Sequence, residues 1–280
     1  MQYHSLKHYT ARYIAIDTAA DLAIVTESGK SRLRLMRADL SESYHDKYLR
    51  IREVRNIPFV PEGIAVSSSS YRSTMFVRTV QIYVTDIASH RVAMFDVEGQ
   101  CLWCVGRLGS MPGRFDRPGG CSISRGCLYM CDTGNHRLQV LSCLSGRFLR
   151  SIGSEGHGKG RLLEPTDCEV HNNRVFVVDA LNFRVQVFCA IQGCALFTWG
   201  SRSSSVAGFW ASRCILIHRG YIYITEHDGH QSLCKVFEEH TQIHVKTWLL
   251  SNCVADPIGI AANHDRIYIV DHRGAVRIFF

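Results

Sequence analysis

Short apolar runs set the pattern of the chain, and each is cut by a polar turn. Cys127-Leu-Tyr-Met-Cys131 reads as a strand, and Leu138, Gln139 and Val140 alternate in the period-2 manner of a second, half-buried strand. Between them lies Asp132-Thr-Gly-Asn-His-Arg137, a turn in which Gly134 and Asn135 tolerate positive φ. Altered copies run from Asp86 to Phe95 and from Asp179 to Phe188, each with an acid first and Arg five residues later. The acid that closes an apolar strand recurs as Glu27, Asp86, Asp132, Asp179, Glu226 and Asp271, at gaps of 59, 46, 47, 47 and 45 residues. That spacing defines six units of about 46 residues.

A second landmark sets the register. Fourteen residues before the acid stand Tyr13, Pro118, Pro165, Ser212 and Pro257, each opening a short apolar strand. In the second unit Pro61 precedes Asp86 by 25 residues, and the excess of 11 falls on a polar insertion at 67–78 that begins Ser67-Ser-Ser-Ser-Tyr-Arg-Ser-Thr74. The third unit resolves into four strands, near Cys121–Ser124, Cys127–Cys131, Arg137–Leu141 and Phe148–Ile152, and the glycine-rich run Gly153–Gly160 crosses to the next unit. Four short antiparallel strands repeated at this period predict an all-β, six-bladed β-propeller in a single domain spanning 1–280. The blades are expected at about 11–57, 58–116, 117–163, 164–210, 211–255 and 256–280 plus 1–10. Gln2–Tyr9 is expected to supply the outer strand of the last blade and close the ring.

Composition narrows the class. With 280 residues, 46% of them apolar, the chain is globular, and its net charge of +7 and pI near 8.8 admit an acidic partner. The first nine residues lack a signal-peptide core, and no run approaches the roughly eighteen apolar residues of a membrane span. A cytoplasmic protein, monomeric as an isolated domain and without membrane contact, is therefore expected. The twelve cysteines are irregularly spaced, and Cys121, Cys131, Cys168, Cys189 and Cys214 fall in predicted strands as small buried residues. Cys101-Leu-Trp-Cys104 has zinc-like spacing but no second pair or His partner, so neither a metal nor another cofactor is expected.

The turn residues divide by regularity. Asp86 with Arg91, Asp132 with Arg137, Asp179 with Arg184 and Glu27 with Arg32 recur from unit to unit and read as structural pairs, while the pattern fails at Gln231 and Val276. The variable pairs Ser89-His90, Asn135-His136, Asn182-Phe183 and Gly229-His230 would ring one face, either as plain solvated turns or as groups that bond or stack with unpaired bases. Arg107, Arg114, Arg117, Lys159, Arg161, Arg202 and Arg273 would share that face.

These residues resemble NHL repeats. The resemblance rests on Tyr-Val-Thr-Asp at 83–86, on Asp132–Val140, and on the linker Val105-Gly-Arg-Leu-Gly-Ser-Met-Pro-Gly-Arg-Phe-Asp-Arg-Pro118. In that linker Gly106, Gly109, Gly113, Phe115 and Pro118 match the family's Gly-x-x-Gly-x-x-x-Gly-x-Phe-x-x-Pro pattern; the next matches at Gly153, Gly156, Gly160 and Pro165, with Leu162 for Phe. The resemblance implies an interaction domain of the kind joined to tripartite-motif ubiquitin ligases and translational repressors, some of which bind single-stranded RNA. No RING or B-box spacing precedes the repeats, so ligase chemistry is not expected in this chain. A non-catalytic platform for a protein partner or single-stranded RNA is the leading expectation. The alternative is a metal-dependent lyase or hydrolase at the central channel, with His171, His218 and His264 near inner strands and Asp17, Glu62, Asp167 and Asp256 as the acids within reach.

Overall fold

The computed structural model describes residues 11–18, 21–28, 31–37, 47–50, 59–69, 79–202, 208–227, 230–250 and 253–280. It is a six-bladed β-propeller. The innermost strands are Ala11–Asp17, Pro61–Ser69, Pro118–Ser124, Pro165–His171, Ser212–His218 and Pro257–Asn263. Each packs beside the next, and the sixth meets the first, so the ring is closed at its centre. Five blades have four antiparallel strands in chain order; the last has three among the described residues, ending at Val276–Phe279. The segment Gln2–Tyr9, assigned above to the missing outer strand, lies outside the described residues.

Alternating strand faces explain why the core is divided. Each blade is apolar on both faces and buries them against its two neighbours, giving one cluster per interface. Between the third and fourth blades, Tyr129, Leu138, Val140 and Ile152 meet Cys168, Val175, Val177 and Phe188. Between the last blade and the first, Tyr268, Val270 and Val276 meet Ile14, Ala23 and Val25.

Register departs from the sequence reading in four places, one of them the sixth blade, where Val276 pairs with Val270 and Ala275 rather than Val276 faces Asp271. In the first blade Ala11, rather than Tyr13, stands opposite the acid Glu27, because four residues separate the paired ends Asp17 and Leu22 where two separate Ser124 and Cys127. In the fifth blade Glu226 pairs with Leu233 rather than Gln231, since its turn is two residues longer than the turn that pairs Asp132 with Arg137. His230 therefore does not match His136; Ser232 does. In the second blade Ser67–Ser69 prolong the inner strand opposite Gln81–Thr79 instead of opening a loop, and 70–78 lies outside the described residues.

Candidate functional site

The inter-blade linkers and the second-to-third-strand turns pack together at one end of the ring. Each of three linkers tucks one apolar residue inward: Phe115, Leu162 and Phe209 are fully buried. Leu108 pairs with Phe115 and Arg202 with Phe209 in isolated parallel bridges, while Ser154–Glu155 pairs with Arg161–Leu162. Glycine is required where the linker begins. At Gly106 (φ +106°) a Cβ would stand 2.4 Å from the Phe115 ring, and at Gly200 (φ +93°) 2.2 Å from Phe209.

The acids clasp these linkers to the blades. Asp132 Oδ1 accepts from the Asp116 amide at 2.8 Å, and Asp179 Oδ1 from the Leu163 amide at 2.7 Å. Arg137 Nε donates to Asp132 Oδ2 at 2.8 Å, Arg184 Nε to Asp179 Oδ2 at 2.7 Å, and Arg91 Nε to Asp86 Oδ2 at 2.8 Å. A further donor two places along the third strand closes the same ring of bonds. Gln139 donates to the Arg114 carbonyl, Gln186 to that of Arg161, Lys235 to that of Gly208 and Arg277 to that of Cys253. In the fifth blade Lys235 also replaces the missing arginine, with its ammonium 2.8 Å from Glu226. Fixed-offset reading passed over this position because three residue types fill it with one chemistry: a long donor reaching a linker carbonyl.

Most variable turn residues are partly committed to these contacts. Asn135 Nδ2 donates to the Gly109 carbonyl and to both oxygens of Asp132; Asn182 Nδ2 donates to the Gly156 carbonyl and Asp179, and its Oδ1 lies 2.8 Å from His157 Nδ1. His90 and His136 adopt left-handed φ, and their Nδ1 atoms accept the Arg117 and Glu164 amides of the next blade, each at 3.0 Å. Ser232 Oγ accepts the Asp256 amide in the same way. These side chains fasten neighbouring blades. Arg107, Lys159, Arg161, Arg202, His230 and Arg273 are exposed, and Arg114 is half-buried.

One place in this series is different. Phe183, the counterpart of His136, packs edge-on against Trp210 with ring centroids 6.5 Å apart. Arg202 lies over both rings, 4.7 Å from Trp210 and 5.1 Å from Phe183. Trp210 nevertheless keeps 43% of its surface exposed, and Leu181, Leu108 and Met111 are exposed on the same end of the blades. Sequence reasoning singled out Phe183 and Arg202 separately; Trp210 was missed because it lies outside the turn series, two residues before its blade's inner strand.

The channel mouth beside this cluster is charged but paired. Arg12, Glu62, Gly119, Thr166, Arg213 and Ile258 line a cavity of about 210 Å³. Arg117 meets Glu164 at 3.0 Å, Arg12 meets Glu62 at 3.7 Å and Arg213 meets Asp256 at 3.8 Å. Deeper, a cavity of about 270 Å³ runs between the inner strands. Tyr13 crosses it, donating to the Thr166 carbonyl of the opposite blade at 3.3 Å. Asp167 is buried there and spends its oxygens on the Cys168 and Ile215 amides, while burial raises its carboxyl well above the ordinary range.

Among the described residues no group of three or more His, Cys, Asp or Glu is arranged to hold a metal ion. His218 is bonded to the His264 carbonyl at 2.6 Å, His171 stands 3.5 Å from Glu239, and the cavity around Asp167 is lined mainly by Ile and Ala, with Tyr13, Glu169, Cys121 and Cys168 among them. Asp17 is buried, and Glu62 and Asp256 belong to the ion pairs of the mouth.

Glu169 gives the channel a pH signature. Burial pushes its carboxyl up to about 7, against a hydrogen bond with Ser122 that pulls it down. The native chain therefore keeps a proton that the unfolded chain has released, and the stability this confers is complete below pH 4.5 and lost as pH rises through about 7. Glu169→Gln should flatten the fall in melting temperature between pH 5 and 8 by a few degrees, roughly 2–4 °C per kcal/mol. An unchanged slope in pH-dependent melts would count against a protonated Glu169.

No protein-family model matches the chain, and no curated protein matches it either. Solved structures do match. A chain from a nidogen–laminin complex is 14% identical with a TM-score of 0.63, covering 86% of this chain and 80% of that one. A streptogramin B lyase is 10% identical at 0.65, covering 99% and 95%, and a gluconolactonase from Xanthomonas campestris is 12% identical at 0.67, covering 97% and 86%. At these identities the likeness is one of fold. Among the described residues no helix is long and apolar enough to cross a membrane.

Proposed function

We propose that the chain is a non-catalytic interaction platform whose linker-side face docks a protein partner. The exposed Trp210, held between Arg202 and Phe183, carries this reading. Binding hot spots are enriched in Trp and Arg, and a large ring already fixed by neighbours loses little conformational freedom on docking. Leu181, Leu108 and Met111 add exposed apolar surface, and Arg107, Lys159 and Arg161 supply a basic surround. The resemblance to NHL interaction domains supports the reading, as does a fold neighbour seen in a nidogen–laminin complex.

Quantitative affinity capture with wild-type chain, Trp210→Ala, Arg202→Glu and the far-face control Leu144→Ala tests it. A specific partner should fall about tenfold with each of the first two, matching a hot-spot loss of at least ~1.4 kcal/mol, and stay constant with the control. A partner profile indifferent to Trp210 and Arg202 would remove the proposal. Salt-sensitive retention of a short single-stranded RNA, lost in the same variants, would assign the face to nucleic acid instead.

A further inference from the structure

The third-to-fourth-strand turns lie at the opposite end of the blades, and they share one geometry. In the third, fourth and fifth blades the first residue's amide donates to the last residue's carbonyl: Ser142 to Arg147, Cys189 to Cys194 and Glu238 to Ile243, at 2.8, 2.9 and 3.0 Å. The residue before the last donates back to the first residue's carbonyl in each. The second blade closes a shorter turn between Asp96 and Gln100 at 3.1 Å. The opening position is a seat for an acceptor. Asp96 Oδ1 takes the amides of Glu98 and Gln100 at 3.1 and 2.7 Å, and Glu238 Oε2 takes the Thr241 hydroxyl.

Cysteine occupies both ends of this turn in the fourth blade. Cys189 Sγ accepts the Gln192 amide at 3.5 Å, in the seat where other blades place a carboxylate or a hydroxyl. Cys189 is partly exposed and Cys194 exposed. The turn amides of Gln192 and Ile191, the Cys194 thiol and the positive charge of Arg150 together lower the Cys189 thiol below its ordinary value. The bond from the Cys189 amide to the Cys194 carbonyl at 2.9 Å holds the two residues opposite each other across the turn; a disulfide spans Cα atoms roughly 4.4–6.8 Å apart. Cys121, Cys131, Cys143, Cys168, Cys214 and Cys234 are buried, and burial pushes Cys143, for one, up to about 11.

We infer that Cys189 and Cys194 form a reactive dithiol on the far face, with Cys189 the attacking sulfur, Cys194 the resolving one and a hydroperoxide as substrate. The Cys189 thiolate attacks one peroxide oxygen and breaks the O–O bond, giving the sulfenic acid and, from hydrogen peroxide, hydroxide. The Cys194 sulfur then displaces the sulfenic oxygen; its proton leaves with that oxygen as water and the S–S bond forms. The two thiols lose two electrons and the peroxide gains them.

Peptide mapping under non-reducing conditions after graded hydrogen peroxide treatment of the full chain tests the inference. A Cys189–Cys194 link should be the first oxidation product and should disappear on treatment with dithiothreitol. Cys194→Ser should leave Cys189 as a sulfenic acid trapped by dimedone, and Cys189→Ser should slow loss of the Cys194 thiol about tenfold, the resolving sulfur lacking thiolate character. Cys189→Ser is suited to the turn, since Ser142 occupies the same seat in the third blade. Oxidation of Cys189 no faster than that of Cys101, Cys127 or Cys253, or linkage of Cys189 to any other cysteine, would overturn it.

Discussion

Asp132→Ala is expected to lower the stability of the domain by about 3–5 kcal/mol, the cost of removing one member of a buried charged pair, or roughly 10 °C in melting temperature. Asp132 is fully buried, and four different donors converge on it: the Asp116 amide, Asn135 Nδ2, Arg137 Nε and Gln139 Nε2. Alanine leaves all four without their acceptor, and one of them is a cation with only 16% of its side chain exposed. Asp271→Ala is the informative comparison. Asp271 accepts from the Arg273, Ala275 and Ala255 amides, and Ala275 stands where other blades place the paired arginine. Loss of the acceptor for these three backbone amides should cost about 1–3 kcal/mol. Thermal melts of both variants check the ranking; equal shifts would show that the arginine adds nothing to the clasp.

Gly63→Ala should be nearly as damaging, for a reason unrelated to turn geometry. The inner strands approach so closely that a Cβ on Gly63 would stand 2.4 Å from the Gly119 carbonyl oxygen and 2.9 Å from Gly120 Cα. Both neighbours are backbone of the next blade, so relief requires two blades to part, at the upper end of the usual overpacking cost of about 1–3 kcal/mol. Gly158→Ala meets only Arg161 Cγ at 3.8 Å and should be neutral or slightly stabilising. A destabilised Gly158→Ala alongside a tolerated Gly63→Ala would refute this account of the central packing.

The six-fold period could be read from the sequence because the clasping acid is chosen by local chemistry. A buried carboxylate that must take backbone amides and a guanidinium leaves Asp or Glu as the available residues, and the repeat of that choice marks each blade. Register was less legible. Two extra turn residues moved the partner of Glu226 from Gln231 to Leu233, and a longer first turn moved the strand start from Tyr13 to Ala11. Fixed offsets cannot detect a lengthened turn, because a surface loop accepts residues at little cost. At the candidate face, residue type told which groups were polar or aromatic but not what held them. His90 and His136 have the composition of a recognition surface, yet each has one ring nitrogen bound to the next blade's backbone. Trp210 became visible as the partner of Phe183 and Arg202 only when two blades were brought together.

The closed centre of the ring also has a consequence in time. Among the described residues the clasps join positions near in sequence, as Asp132 to Asp116, and can form while the chain is still being synthesised. The final seam is of another kind: the strand Pro257–Asn263 must find Ala11–Asp17, and Asn263 reaches Asp21 across 242 positions. Such distant contacts are slow to form because chain entropy is lost before they are gained. Blades should therefore assemble early and one after another, and the rate of reaching the native state should be set by the meeting of the last with the first.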